Sequence, residues 1–125
     1  MSKKKILIVD DEKDWTQMLA MRLKHVGYLI EVAFDAYQAV MQVVQLKPDL
    51  MLLDIMLPAG SGLEVLKNIR ANAKTFSIPV IVLTAKGDKE TKEAAEKLGI
   101  SGYFVKPVDM NELLEKLKEV LTKQG

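Results

Sequence analysis

The sequence predicts an α/β protein in which a five-stranded parallel sheet is covered by helices on both faces. Three observations lead to this fold class: five short apolar runs, a helical pattern after each run, and runs that are mostly continuous rather than alternating. Continuous apolar runs are typical of strands that are buried on both faces. Strands that alternate with crossover helices form a doubly wound parallel sheet.

The apolar runs give the predicted strands in order. They cover residues 6–9, 28–34, 50–53, 80–83 and 103–105. Between them, apolar side chains recur every three or four residues, which places them on one face of a helix. The first three of these stripes comprise Trp15, Met18, Leu19, Leu23 and Val26; Ala36, Ala39, Val40, Val43 and Val44; and Leu63, Leu66 and Ile69.

Capping residues mark several helix ends. Gly27 is placed to end the first helix, because glycine readily adopts the left-handed conformation found there. Asp88 is a candidate N-cap of a fourth helix that ends at Leu98, before Gly99. Asp109 can cap the fifth helix while Glu112 reaches back to it in a capping box. The apolar face of that helix comprises Leu113, Leu114, Leu117, Val120 and Leu121.

Composition and charge exclude several classes of protein. The 125 residues fit one domain, 1–125, of which 49% are apolar and 28% charged. A net charge of +1 offers no broad basic surface for nucleic acid. The chain has no cysteine for disulfides or thiolate chemistry, and no apolar window long enough to span a membrane. We therefore expect a cytoplasmic protein.

Ionisable and hydroxyl side chains follow four of the predicted strands. Asp10 and Asp11 follow the first strand and Asp54 the third, while Thr84 follows the fourth and Lys106 the fifth. In open parallel sheets, ligands bind beyond the carboxyl ends of the strands. These side chains are thus expected at one edge of the sheet. Such a cluster of charges is a poor choice for stability alone, so it indicates a functional site.

Each residue also has a purely structural interpretation. Asp11 can cap the first helix, and Thr84 can bond its own loop backbone. Lys106 can lie in solvent ahead of a turn at Pro107. Asp54 is harder to explain in this way, because an apolar stretch on both sides of it predicts partial desolvation. The coincidence of all these groups at one edge favours the functional interpretation.

The donor set favours phosphoryl chemistry with a divalent cation. Three carboxylates without a nearby histidine or cysteine suit Mg²⁺, which usually partners a phosphate. Lys106 can balance charge on one phosphoryl oxygen, and Thr84 can donate a hydrogen bond to another. A carboxylate can itself be the nucleophile, and Asp54 is the candidate because it lies centrally in the sheet. Catalysis is then mostly positioning and charge neutralisation.

The chain resembles the receiver domain of two-component response regulators, in particular the stand-alone type exemplified by the chemotaxis response regulator. The resemblance rests on the pair Asp10-Asp11, on Asp54 in LLDIMLP, on Thr84-Ala85 and on YFVKP in the fifth strand, and it covers essentially the whole chain. It implies a flavodoxin-like (βα)5 fold with strand order 2-1-3-4-5. It also implies a signalling switch rather than a turnover enzyme.

The resemblance further implies a role for each matching residue. Asp54 is the implied phosphoacceptor, which takes a phosphoryl group from a sensor histidine kinase or a histidine phosphotransfer protein. Asp11 is the implied direct ligand of Mg²⁺ and Asp10 assists, often through water. Asp54 and the backbone carbonyl of Met56 complete the metal ligands. Lys106 pairs with Asp54 and then with the phosphoryl group.

The implied switch involves residues around the phosphoryl group. Thr84 and the Ala85 amide bind phosphoryl oxygens, and movement of Thr84 is coupled to rotation of the Tyr103 ring. This change remodels the surface of the fourth helix, fifth strand and fifth helix, which contacts a downstream protein. The residues that shape turns are Pro58, Gly62 and Pro107. We expect a monomer or a weak phosphorylation-dependent dimer, without direct nucleic-acid or membrane binding.

Four further expectations concern single residues and the methionines. Met56 and Lys86 occupy the positions that tune phosphoryl lifetime in the family, and neither orients an attacking water, which predicts a long lifetime. Trp15 lies one helical turn beyond Asp11 and is expected in the core, so its fluorescence should respond to Mg²⁺ or phosphorylation. His25 is expected in solvent. The seven methionines are expected mostly as core filler.

Three alternatives remain open. A haloacid-dehalogenase-type phosphatase also uses an aspartate nucleophile, but it carries D-x-D after its first strand, where this chain has D-D-E. The flavodoxin-like fold raises flavin binding, yet nothing here resembles a flavin phosphate loop. A pseudo-receiver keeps the fold as an interaction module without phosphorylation. The intact set of acids, threonine and lysine argues against that third alternative.

Overall fold

Strands and helices alternate five times in the computed structural model, which describes residues 3–58 and 60–123. The ends of the predicted domain, residues 1–2 and 124–125, lie outside the described residues. The strands are β1 (Lys5–Val9), β2 (Leu29–Ala33), β3 (Leu50–Leu53), β4 (Val80–Thr84) and β5 (Gly102–Val105). The helices are α1 (Lys13–Val26), α2 (Ala36–Leu46), α3 (Gly62–Ala71), α4 (Lys89–Leu98) and α5 (Met110–Thr122).

The five strands form one parallel sheet in the order β2-β1-β3-β4-β5, which confirms the predicted fold class. Val9, the last residue of β1, lies opposite Ala33 of β2 and Leu53 of β3. Thr84 of β4 lies opposite Val105 of β5. The strands β1, β2 and β3 therefore end level with one another, while β4 and β5 end together two residues further on, because Leu53 lies opposite Val82. The residues that follow the strands share one edge of the sheet.

Two apolar clusters cover the two faces of the sheet. Alternate residues of each strand point to opposite faces, so Leu7 and Val9 join one cluster while Ile6 and Ile8 join the other. The first cluster includes buried side chains of α2, α3 and α4, and the second those of α1 and α5. Because β1, β3 and β4 are covered on both faces, their continuous apolar runs were readable as strands.

The predicted helix ends are largely confirmed. Asp88 caps α4 by accepting a hydrogen bond from the Thr91 amide, and Asp109 caps α5. Gly27 ends α1 with a φ of 117°, which a side chain rarely permits. Asp11, in contrast, does not cap α1. Glu12 occupies the N-cap position, and its own side chain accepts no capping hydrogen bond.

The prediction for the methionines was wrong, and so was part of the α1 stripe. Met51 is buried, but four of the seven methionines are exposed: Met18, Met21, Met41 and Met56. Met1 lies outside the described residues. On α1 the buried face comprises Thr16, Leu19, Ala20 and Leu23, so Met18 and Val26 fall on its solvent side. His25 is exposed, as expected.

None of the helices in residues 3–58 and 60–123 combines the length and apolar character that crossing a membrane requires.

Candidate functional site

The predicted site residues are fixed to the edge of the sheet by backbone hydrogen bonds. The Asp10 amide donates to the Ala33 carbonyl at 3.1 Å, and the Asp54 amide donates to the Val9 carbonyl at 2.9 Å. These bonds continue the pattern of the sheet one step past the strand ends. Asp10 and Asp54 are therefore held on neighbouring strands by rigid backbone, as the sequence predicted.

Lys106 places its ammonium group among three carboxylates. Its Nζ lies 2.8 Å from Asp10 Oδ2, 3.3 Å from Asp54 Oδ2 and 3.2 Å from Glu12 Oε1. The side chains of Lys106, Asp10 and Asp54 are 13%, 3% and 6% exposed, whereas that of Glu12 is 62% exposed. Asp10 and Asp54 thus form buried ion pairs with Lys106, and Glu12 closes the cluster from the solvent side.

The two buried aspartates each divide their oxygens between two partners. Asp10 Oδ1 accepts a hydrogen bond from the Glu12 amide, and Asp54 Oδ1 accepts one from the Met56 amide, both at 2.9 Å. The Oδ2 atom of each aspartate contacts Lys106. Each carboxylate is therefore oriented by a hydrogen bond within its own turn, and its Oδ2 atom faces the cation.

Burial is the largest single influence on the pKa values of Asp10 and Lys106. It raises the pKa of Asp10; the Lys106 hydrogen bond and the Glu12 amide oppose this increase, and the charge of Asp54 adds to it. Burial also lowers the pKa of Lys106, but the hydrogen bond and charge of Asp10 and the charge of Asp54 outweigh it, so that pKa is raised. Both directions are consistent with a site in which three carboxylates share one ammonium group.

These residues fit a hard divalent cation. One oxygen from each of Asp10, Glu12 and Asp54 lies within 4.8 Å of the others, and oxygen is the donor that Mg²⁺ prefers. Glu12, which directly follows Asp10 and Asp11, was not among the predicted site residues. Asp11, the expected direct ligand, is exposed and lies outside this group of three. Its role in metal binding, like that of the Met56 carbonyl, stays a prediction.

Thr84 and Ala85 lie at the same edge of the sheet, at the end of β4. Thr84 is completely buried, and its Oγ1 accepts a hydrogen bond from the Lys86 amide at 3.2 Å. Ala85 is exposed. The Lys106 amide donates to the Thr84 carbonyl at 2.8 Å, which joins the ends of β4 and β5.

Tyr103 connects β5 to the loop between β4 and α4. Its ring packs against the apolar cluster under α4, and its hydroxyl donates a short hydrogen bond to the Lys86 carbonyl. Burial raises the pKa of Tyr103, and the charges of Asp88 and Asp54 add to this effect. Thr84 and Tyr103 therefore both bond to Lys86, one through its amide and one through its carbonyl.

The predicted turn residues lie around the acid cluster. Gly62 begins α3, and its amide donates to the Ile55 carbonyl at 2.8 Å. A Cβ at this position would collide with the backbone of Asp54 and would lie 2.6 Å from Ile55 Cα, so only glycine fits. Pro58 is exposed in the turn after β3, and the peptide bond between Lys106 and Pro107 is cis.

Trp15, which was expected in the core, is only partly buried. It packs against the apolar cluster between the sheet and helices α1 and α5. Its ring centroid lies 5.2 Å from the Lys106 Nζ.

Comparisons with known proteins agree with this geometry. A family model described as the response regulator receiver domain matches residues 6–118. The chain is 42% identical over 122 residues to the phosphate regulon transcriptional regulatory protein PhoB of Pseudomonas aeruginosa. The matched region covers 98% of this chain and 53% of that protein. The chain thus spans about half the length of the curated relatives it matches.

Solved structures show the same architecture. A CheY-like response regulator receiver domain protein from Methanospirillum hungatei has a TM-score of 0.92 and 32% identity, with 98% of this chain and 97% of that chain covered. The receiver domain of the sensor histidine kinase PA1611 from Pseudomonas aeruginosa has a TM-score of 0.88 and 27% identity, with 97% and 99% covered. That structure holds a magnesium ion coordinated in its active-site cleft.

Proposed function

Because the chain belongs to the response regulator receiver domain family of two-component systems, we propose that it accepts a phosphoryl group on Asp54 and acts as a phosphorylation-controlled switch. The observation that carries the proposal is the buried ion pair between Asp54 and Lys106, 3.3 Å apart at the edge of the sheet. It combines a carboxylate nucleophile with the cation needed to neutralise the incoming group. The donor is a phosphohistidine of a sensor kinase or of a phosphotransfer protein.

The proposed transfer forms one bond and breaks one. An Asp54 oxygen attacks the phosphorus atom, and the bond between phosphorus and the imidazole nitrogen of the donor histidine breaks. The electron pair of that bond returns to the imidazole, and the product is an aspartyl phosphate. Lys106 moves from the carboxylate to a phosphoryl oxygen, while Thr84 and the Ala85 amide donate hydrogen bonds to the others.

Mg²⁺ is the proposed cofactor, held by Asp54, by the acidic residues after β1 and by the Met56 carbonyl. When bound, it neutralises negative charge on the phosphoryl oxygens. The three clustered carboxylates support this assignment, since their charge exceeds that of Lys106 alone. Within this set, Asp10 and Glu12 lie beside Asp54, and Asp11 completes the acids after β1.

The proposed output surface comprises α4, β5 and α5. The bond from Tyr103 to the Lys86 carbonyl supports this assignment, because a displacement at Thr84 would reach the same loop residue. A groove of about 250 Å³ between α4 and β5 lies beside the ring, with Lys92, Glu96 and Tyr103 in its lining. Its mixed polar character suits a protein partner. We propose that phosphorylation changes the shape of this groove.

We also propose a long-lived phosphoryl group. Met56 is 54% exposed and apolar at its tip, so it cannot orient an attacking water. Lys86 extends towards Asp88, at 3.8 Å, rather than into the acid cluster. Neither side chain supplies a carboxylate or carboxamide group beside Asp54. A half-life at the short end of the family's range, measured on isolated phosphoprotein, would contradict this proposal.

The test is an intact-mass spectrum after incubation with acetyl phosphate and Mg²⁺. We expect a gain of one phosphoryl group that is lost in Asp54→Asn and in metal-free samples. Asp14→Asn is the matched control, because Asp14 is an exposed aspartate on α1 and should leave the gain unchanged. Absence of any gain in folded wild-type protein would overturn the proposal and favour a pseudo-receiver.

A further inference from the structure

Lys106 has an aromatic neighbour that no step of the proposed transfer uses. The Trp15 ring centroid lies 5.2 Å from Lys106 Nζ, within the distance at which a cation is attracted to the face of an indole. Three carboxylates bind the same ammonium group. Trp15 is therefore the aromatic part of a shell whose remaining members are acids.

The first turn of α1 supplies two members of this shell. Glu12 is the N-cap residue of α1 and Trp15 follows it by three positions, and both side chains reach the Lys106 Nζ. The start of α1 thus presents a carboxylate and an indole to the ammonium group of Lys106, the residue that follows β5. Helix packing fixes this pair, because Leu19 and Leu23 of α1 are fully buried.

Hydrogen bonding by the indole nitrogen does not explain why a tryptophan occupies position 15. Trp15 Nε1 is buried and has no hydrogen-bond partner within residues 3–58 and 60–123. Buried indole N–H groups usually find an acceptor, and an unpaired one is destabilising. An aliphatic side chain would fill this place without that penalty. The feature that an indole has and a leucine lacks is the negative face that it offers to Lys106.

We propose that Trp15 is a positioning residue for Lys106. The face of its ring holds the ammonium group among the carboxylates, at the place where the phosphoryl group forms on Asp54. Without the ring, the flexible lysine side chain also occupies positions outside the site, and fewer molecules are competent for transfer. This inference deepens the proposed function, and its effect on the rate rests on that function.

The test uses the fact that the chain contains a single tryptophan. Biosynthetic incorporation of mono-, di- and trifluorinated tryptophan therefore changes Trp15 alone, weakening the negative face of the ring while nearly preserving its shape. We expect Tm to fall stepwise, by about 3 °C for the trifluorinated ring, in protein with Lys106. The same series in Lys106→Met should show no stepwise fall. Lys106→Gln replaces it if Lys106→Met does not fold.

The second readout is the rate of phosphorylation by acetyl phosphate with Mg²⁺. We expect the rate to fall along the fluorination series, by about fivefold for the trifluorinated ring and for Trp15→Leu, and by less for Trp15→Phe. Phe34→Leu is the matched control. The centroid of the Phe34 ring lies 5.9 Å from Lys13 Nζ in a second cation–π pair, and the loss of this ring should leave the rate unchanged.

The outcomes separate the two proposals. A flat series, or an equal fall of Tm with and without Lys106, overturns the role of Trp15 even where the wild type is phosphorylated. A wild type that is never phosphorylated overturns the proposed function. The change in Tm along the fluorination series, compared between protein with Lys106 and Lys106→Met, then still shows whether the Trp15 ring attracts Lys106.

Discussion

Within residues 3–58 and 60–123, Lys106 is the one side-chain cation that pairs with Asp10, Glu12 and Asp54. Its replacement by methionine removes this cation and keeps most of the volume of the side chain. Asp10 and Asp54 then remain buried, with one oxygen each that has lost its charged partner. Glu12 loses its partner as well, but it is largely exposed and water replaces the contact. We therefore expect the loss of stability to come from the two buried aspartates.

The distances give the size of the effect. At an effective dielectric constant of about 20, unit charges at the observed 2.8 Å and 3.3 Å attract by roughly 6 and 5 kcal/mol. Desolvation of the ammonium group, several kcal/mol, offsets much of this sum in the wild type. The net loss expected for breaking such buried pairs is about 3–4 kcal/mol, a large fraction of the stability of a domain.

Urea denaturation with and without Mg²⁺ measures this loss. We expect Lys106→Met to reduce the free energy of unfolding by that amount, and Mg²⁺ to stabilise the variant more than the wild type, since the ammonium no longer competes for the carboxylates. Lys86→Met is the matched control. Lys86 pairs with Asp88 at 3.8 Å with both side chains about half exposed, so its loss should change stability by about 0–1 kcal/mol. A Lys106→Met variant as stable as Lys86→Met would show that the buried ion pairs of Lys106 contribute little to stability.

Two further predictions concern the same edge of the sheet. Because burial raises the pKa of Asp10 above its unfolded value, folding favours its protonated form, so the wild type should gain stability as pH falls through that raised pKa. Asp10→Asn should abolish this gain and weaken Mg²⁺ binding. It should also stabilise the metal-free protein at neutral pH by on the order of 1 kcal/mol. A variant whose denaturation curves keep the pH dependence of the wild type would contradict this prediction. Gly62→Ala should cost about 2–3 kcal/mol, because its Cβ collides with the backbone of Asp54 and Ile55, and it should slow phosphorylation. A loss below about 0.5 kcal/mol in the same assay would show that the turn relaxes.

The fold could be read from the sequence because its signals are local. Continuous apolar runs identified the strands, and Asp88, Asp109 and Gly27 marked helix ends by the chemistry of single residues. Periodicity shows that α1 is amphipathic, but the angle at which it meets the sheet decides which face is buried. Met18 was therefore predicted in the core, whereas the buried face of α1 is the one that includes Thr16, and Met18 is exposed.

The sequence predicted where the site lies, but not every residue that forms it. Asp10, Asp54 and Lys106 each follow a strand of one parallel sheet, so all three lie at the same edge, where the lysine contacts both aspartates. Glu12 belongs to a helix cap rather than a strand end, and its side chain joins the cluster only because it turns back towards Lys106. No pattern in the sequence specifies that direction. The contact of Trp15 with Lys106 depends in the same way on packing.

The two outer strands of the sheet bear on how copies of this protein meet in solution. Unpaired strand edges are templates for pairing with another chain. Here β5 has only four residues and is followed within two positions by Pro107, which lacks an N–H group, while β2 carries the exposed charge of Glu31. Short length, proline and charge each disfavour the addition of a further strand. Neither outer strand is therefore a good template for a strand from another copy, which disfavours growth of the sheet into aggregates.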